Sequence, residues 1–139
     1  MASNITFTMI KPKAMEKGFM GDILAKIIAG GFKIKALKLT RLSKQEAQVF
    51  YAVHKERPFY DGLTDFMSSG PIIAAVLEKD DAVKAYRDFI GATNPSDAAK
   101  GSIRALYGSS IEANAVHGSD SDDNALIESG FFFSKRDWV

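Results

Sequence analysis

The sequence predicts an α/β sandwich, a single sheet covered by helices. Three features carry that expectation. Short stretches alternate apolar and polar residues, as half-buried strands require. Stretches with apolar residues at helical spacing lie between them. Ile72 to Leu77 is apolar throughout, the pattern of a central strand covered on both faces.

The elements follow in order. Ile5 to Met9 alternates and reads as a strand, ended by Lys11-Pro12 because proline cannot extend a sheet ladder. Phe19, Ile23 and Ile27 form one helical stripe, with Met20, Leu24 and Ile28 beside it, and Gly30-Gly31 stops the helix. Phe32 to Ala36 alternates, then the apolar phase shifts to Leu37 and Leu39, which predicts a long strand with a bulge near the shift. Ser43 and Glu46 match a capping box that opens a helix running through Tyr51 and His54, broken by Arg57-Pro58. Phe59 to Met67 reads as another short helix, closed by Ser68-Ser69-Gly70. After the central strand, Asp80 or Asp81 caps a helix striped by Val83, Tyr86, Phe89 and Ile90 and closed by Gly91.

Residues 91–111 are rich in Gly, Ser, Asn and Pro, with a short helical stretch around Ile103 to Leu106. A loop of that length in a compact domain is usually functional or a contact surface. A weak strand is expected at Ala113 to Val116, and Ser121-Asp122-Asp123 opens a last helix to about Ser129. Single strands separated by helices suggest one mixed sheet. The order also fits a split βαβ of ferredoxin-like type, βαββαβ with an antiparallel sheet.

Composition narrows the function. The 139 residues suit a single domain over 1–139. The net charge of +1 lacks the basic excess of a general nucleic-acid binder, so no specific nucleic acid is expected and any phosphate site must be a local cluster. With no cysteine, disulfides, thiolate metal sites and thiol catalysis are excluded. The start, Met-Ala-Ser-Asn-Ile-Thr-Phe-Thr, lacks the pattern of a secretory leader, and no run of about 18 apolar residues suggests a membrane span. A cytoplasmic protein is the expectation.

The most informative stretch is Asn114-Ala115-Val116-His117-Gly118-Ser119-Asp120-Ser121. It sets a histidine among small polar neighbours, between an expected strand and a helix start. An imidazole with a reference pKa of about 6.5 is mostly neutral near pH 7, and its free nitrogen can attack phosphorus. A neighbouring helix N-terminus offers N–H groups to an anion. Glu128 follows Ser121 by about two helical turns and can face the same side. A carboxylate there would fix the ring's tautomer and stabilise its positive charge. His54, by contrast, reads as a surface helix residue with no catalytic part.

From residues alone the alternatives stay open. A ferredoxin-like sheet can bind RNA on aromatics such as Phe131 to Phe133. A phosphohistidine relay protein would explain His117 but leave Arg87, Arg104 and Phe59 without a role. Each remaining candidate also has a purely structural reading, as strand end, cap or core.

The stretch resembles the active-site signature of the nucleoside diphosphate kinases, N-x-x-H-G-S-D. The likeness extends over nearly the whole chain. Thr8-Met9-Ile10-Lys11-Pro12 resembles the family's first strand and its lysine. Tyr51 with Lys55-Glu56-Arg57-Pro58-Phe59-Tyr60 resembles its nucleotide clamp. Ser69-Gly70-Pro71 resembles the entry to its central strand, and Gly91-Ala92-Thr93-Asn94-Pro95 with Gly101-Ser102-Ile103-Arg104 its long loop. Lys13 and Leu106 depart from residues that many members carry, aspartate and an acidic residue respectively.

The resemblance implies a ping-pong transfer of the γ-phosphate of a nucleoside triphosphate, usually ATP, to a nucleoside diphosphate, with broad base and sugar specificity. It implies that His117 is phosphorylated through Nδ1, oriented by Glu128 and Ser119. Lys11, Tyr51, Arg87, Thr93, Arg104 and Asn114 would hold phosphates and sugar. Phe59 and Leu63 would pack on the base. Mg²⁺ would travel on the phosphates, with Asp120 assisting through water and no direct protein ligand. Members form hexamers or tetramers from a common dimer, so homo-oligomerisation is implied.

Overall fold

The computed structural model describes residues 4–139. Met1 to Ser3, the start of the stretch read for a leader, lie outside them. A four-stranded sheet has the order β2-β3-β1-β4. Its strands are β1 (Ile5–Ile10), β2 (Lys33–Thr40), β3 (Ile72–Glu78) and β4 (Val116–Gly118). All three neighbouring pairs are antiparallel, so the ferredoxin-like expectation holds and the mixed sheet does not appear.

The continuous apolar run of β3 has the predicted cause. Ile73, Ala75 and Leu77 enter one core, while Ile72, Ala74 and Val76 enter the other. The first core is covered by α2 (Met20–Ala29) through Ile23 and Ile27, and by α5 (Ala82–Ile90) through Tyr86 and Ile90. The second is covered by α3 (Lys44–Phe50), α4 (Tyr60–Met67) and α7 (Asp122–Phe132) through Ala47, Met67 and Phe132. The bulge in β2 falls between Ile34 and Ala36. The capping box closes as predicted: Ser43 Oγ accepts from the Glu46 amide, and Glu46 accepts from the Ser43 amide.

Several boundaries differ from the sequence reading. Pro12 does end β1, but it also opens a short helix, α1 (Pro12–Glu16), as proline suits a first helical position. The helix after Ser43 stops at Phe50, and Ala52–His54 continue as a 3-10 turn. Asp81 precedes α5 without a side-chain cap, because its backbone is left-handed at φ 50°. The short loop helix is α6 (Ile103–Tyr107), preceded by a 3-10 turn at Pro95–Asp97. The last strand begins at Val116, not near Ala113, because Ala115 takes a left-handed φ of 76° that no strand contains. The last helix runs three residues past Ser129, carrying Phe132 into the core.

Candidate active site

β4 carries His117 opposite Met9 of β1, so the ring stands on the sheet rather than in a flanking loop. Thr8 Oγ1 donates to the His117 carbonyl at 2.8 Å and shares a 2.7 Å hydrogen bond with the Tyr86 hydroxyl beneath it. Phe7 and Phe50 lie 6.1 Å and 5.8 Å from the imidazole centroid and limit its rotation.

The ring is held from α7. His117 Nε2 lies 2.9 Å from Glu128 Oε1, and Ser119 Oγ donates to that same oxygen at 2.6 Å. A carboxylate can only accept. Nε2 therefore carries the ring proton, and in the neutral imidazole Nδ1 keeps the lone pair. Ser119 is itself fixed, since its Oγ accepts the Phe7 amide at 3.2 Å. The helix start that aims Glu128 is capped by Ser121, whose Oγ accepts the Asn124 amide at 3.1 Å.

A cavity of about 760 Å³ opens beside the ring. Its wall brings together Lys11, Tyr51, Phe59, Leu63, Arg87 and Thr93 from the first two thirds of the chain. Arg104, Asn114, His117, Asp120 and Glu128 complete it from the last third. Every candidate residue thus converges on one pocket, with Ser119 just behind Glu128. Lys13 and Leu106, the two departures from the family pattern, are not on its wall.

The cations are held differently. Lys11 is buried at the end of β1, and its Nζ donates to the Glu112 carbonyl at 3.4 Å. Burial lowers its pKa to about 7, with Arg104 pushing the same way and Glu112 opposing. Arg104 reaches from α6 to the start of the long loop and to the first residue of β4, its Nη1 donating to the Gly91 carbonyl at 3.2 Å and its Nη2 to the Val116 carbonyl at 3.0 Å. Burial, opposed by Tyr86 and assisted by Arg87, lowers its pKa to about 10, which leaves it charged at neutral pH. Gly91 permits that closure: its φ is +95°, and a Cβ there would meet Ser102 Oγ at 2.6 Å. Arg87 is exposed on α5 at the pocket edge.

Three polar atoms on this wall are buried without a hydrogen-bond partner: the Tyr51 hydroxyl, Asn114 Oδ1 and Arg104 Nε. Buried polar groups normally pair, so their concentration at one cavity marks a site built to receive a polar ligand. Burial pushes the Tyr51 pKa up, with Glu128 adding to the shift, so its hydroxyl remains a donor. Asn114 Nδ2 is already used, donating to the Thr93 carbonyl at 2.9 Å.

Sequence reasoning missed part of the wall. His54 is no detached surface residue: it lines the cavity, 5.4 Å from Phe59 and 6.4 Å from Tyr51 between ring centroids. Ile111 and Glu112 line it too. Nothing in the sequence singled out Ile111, since the loop also carries Ile103, Leu106 and Tyr107.

A sequence model described as nucleoside diphosphate kinase matches residues 4–138. The chain is similar to the nucleoside diphosphate kinase of Flavobacterium psychrophilum, 58% identical over 137 residues, covering 99% of each chain. It is 55% identical to that of Desulfovibrio desulfuricans, covering 93% of each. Among solved structures it resembles the nucleoside diphosphate kinase of Aquifex aeolicus at TM-score 0.96 and 48% identity, covering 98% of this chain and 99% of that one. It also resembles the Halobacterium salinarum nucleoside diphosphate kinase in complex with CDP, at TM-score 0.92 and 38% identity, covering 100% and 92%.

Proposed function

The chain belongs to the nucleoside diphosphate kinase family and so is a nucleotide-binding phosphotransferase acting between nucleoside tri- and diphosphates, and on that premise we propose a ping-pong mechanism through a phosphorylated His117. One observation carries the reading. The proton on Nε2 is committed to Glu128, which leaves Nδ1 as the nucleophilic nitrogen beside a cavity lined by Lys11, Arg87 and Arg104.

His117 Nδ1 attacks the γ-phosphorus of a triphosphate. The bond from that phosphorus to the bridging oxygen breaks, and its electron pair leaves on the diphosphate. Glu128 stabilises the cation that the ring becomes, and Ser119 keeps Glu128 in place. The β-phosphate oxygen of a second diphosphate then attacks the phosphohistidine, the N–P bond breaks and the neutral ring returns. One phosphoanhydride replaces another, so the exchange is reversible. Phosphoryl transfer depends mostly on position and charge neutralisation. Arg87 and Arg104 supply the fixed positive groups, Lys11 joins them once the ligand's phosphates draw a proton onto its amine, and Tyr51, Thr93 and Asn114 hold sugar and phosphate.

Phe59 and Leu63 pack on the base, and stacking alone accepts any base. CDP in the Halobacterium relative supports a nucleoside diphosphate as the acceptor here. Mg²⁺ would neutralise phosphate charge, with few ligands needed from the protein. Three carboxylates line the cavity, Glu112, Asp120 and Glu128. Glu128 is committed to His117 and Ser119, and Asp120 is the one we assign to the ion, through water.

We read residues 1–139 as one domain of this kind and the compartment as cytoplasmic. Among the described residues no helix is long and apolar enough to cross a membrane. We further propose a homo-oligomer, hexamer or tetramer, built from dimers. Support comes from β2, an edge strand exposing Leu37 and Leu39, with Ile28 of α2 also exposed. The decisive test of the mechanism is incubation with γ-labelled ATP alone, then a chase with unlabelled GDP. Acid-labile, alkali-stable label that the chase removes is the expected result; absence of label on the protein overturns the mechanism.

A further inference from the structure

Resting on the reading that Phe59 and Leu63 hold the base, we propose that Glu112 biases the pocket toward bases presenting two adjacent N–H donors, guanine above all. Glu112 follows Ile111 in the loop facing the clamp, and both line the cavity. Its carboxylate reaches toward α4: a Cβ built on Gly62 would lie 3.4 Å from Glu112 Oε2. Gly62 and Leu63 are three and four residues after Phe59, so they share its helix face. The acid therefore stands at the clamp's mouth, beside the edge of whatever base stacks on Phe59.

That carboxylate acts on Lys11 only at a distance. The backbone carbonyl of Glu112 takes the Lys11 ammonium, while among the described residues the side chain forms no hydrogen bond or ion pair. Two carboxylate oxygens accept two parallel N–H groups. Guanine offers N1–H and the N2 amino group side by side. Hypoxanthine keeps only N1–H, and thymine offers N3–H between two carbonyls that a carboxylate repels. Stacking tolerance and edge preference coexist, because the first uses the ring face and the second its rim.

The test is direct binding by calorimetry, which does not depend on phosphoryl transfer. GDP, IDP and dTDP are compared on the full chain, on Glu112→Ala and on Phe59→Ala. The unaltered protein is expected to favour GDP over IDP roughly three- to tenfold, a modest value because the site is exposed. In Glu112→Ala the two should bind alike, with melting temperature unchanged. A GDP preference that survives Glu112→Ala overturns the proposal. So does an equal change for all three nucleotides, which would mark Glu112 as a charge beside Lys11 only. If Phe59→Ala leaves every affinity intact, the clamp reading fails and this proposal fails with it. If Phe59→Ala weakens all three while the GDP preference ignores Glu112, only the proposal falls.

Discussion

Glu128 grips His117 through Nε2 at 2.9 Å while the same carboxylate oxygen takes the Ser119 hydroxyl at 2.6 Å. One oxygen thus decides the ring's tautomer, and a hydroxyl behind it decides where that oxygen sits. Glu128→Gln should keep the fold but present the ring with a weaker, uncharged partner. We expect phosphoenzyme formation from ATP to slow by roughly 10–100-fold, in line with losses of outer-layer partners elsewhere. A rate within twofold of the unaltered protein in rapid-quench labelling would remove Glu128 from the mechanism.

His117→Ala should abolish labelling from γ-labelled ATP and all diphosphate exchange. The ring is partly exposed on the cavity wall, so circular dichroism should match that of the unaltered protein, with at most a small change in melting temperature. Residual exchange in that variant would point to a different nucleophile.

Ser119→Ala should affect stability as well as rate. The Phe7 amide donates to Ser119 Oγ, and that pair is buried. Removing the acceptor leaves a buried N–H unmatched, at about 1–3 kcal/mol. Denaturant unfolding measures the loss; an unchanged midpoint would contradict the assigned bond.

How much of this was legible in advance depends on whether the cause was local. The Ser43–Glu46 box and the bulge at Ile34/Ala36 are written in neighbouring residues, and both appear as expected. The convergence of Lys11, Arg87 and Arg104 could be inferred only through family resemblance, since three separate elements bring them together. The left-handed turn at Ala115 had no local sign, because alanine seldom adopts it. That single dihedral moved the last strand three residues and put His117 on it. His54 was misjudged for a related reason: the chain leaves the helix at Phe50, and the following 3-10 turn carries the imidazole to the cavity wall.

Phe59→Ala should weaken every nucleotide. A stacked base contributes about 1–3 kcal/mol, and Phe59 is half exposed without a ligand at 50% relative accessibility, so there is surface left to cover. Calorimetric affinities for ADP and CDP check this, and equal values in both proteins would take Phe59 out of the clamp.

Lys11 gives a pH signature. Its folded pKa of about 7 lies below its ordinary 10.5, so the fold disfavours its charge. That penalty is complete below pH 7 and fades as pH rises toward 10.5. Lys11→Met should therefore raise the melting temperature more at pH 6 than at pH 10. In the unaltered protein at pH 8, an arriving triphosphate should pull a proton onto the amine. Calorimetry in buffers of different ionisation heat should register close to one proton taken up, falling toward none below pH 7. No uptake at pH 8 would mean the ammonium is charged before the ligand comes.

Arg104 spans from Gly91 to Val116 with two of its nitrogens while also facing the cavity. It is a rivet as well as a hand. Lysine has no planar fork to match both carbonyls, so the proposed grip on phosphate and the shape of the long loop cannot be tuned separately at this position.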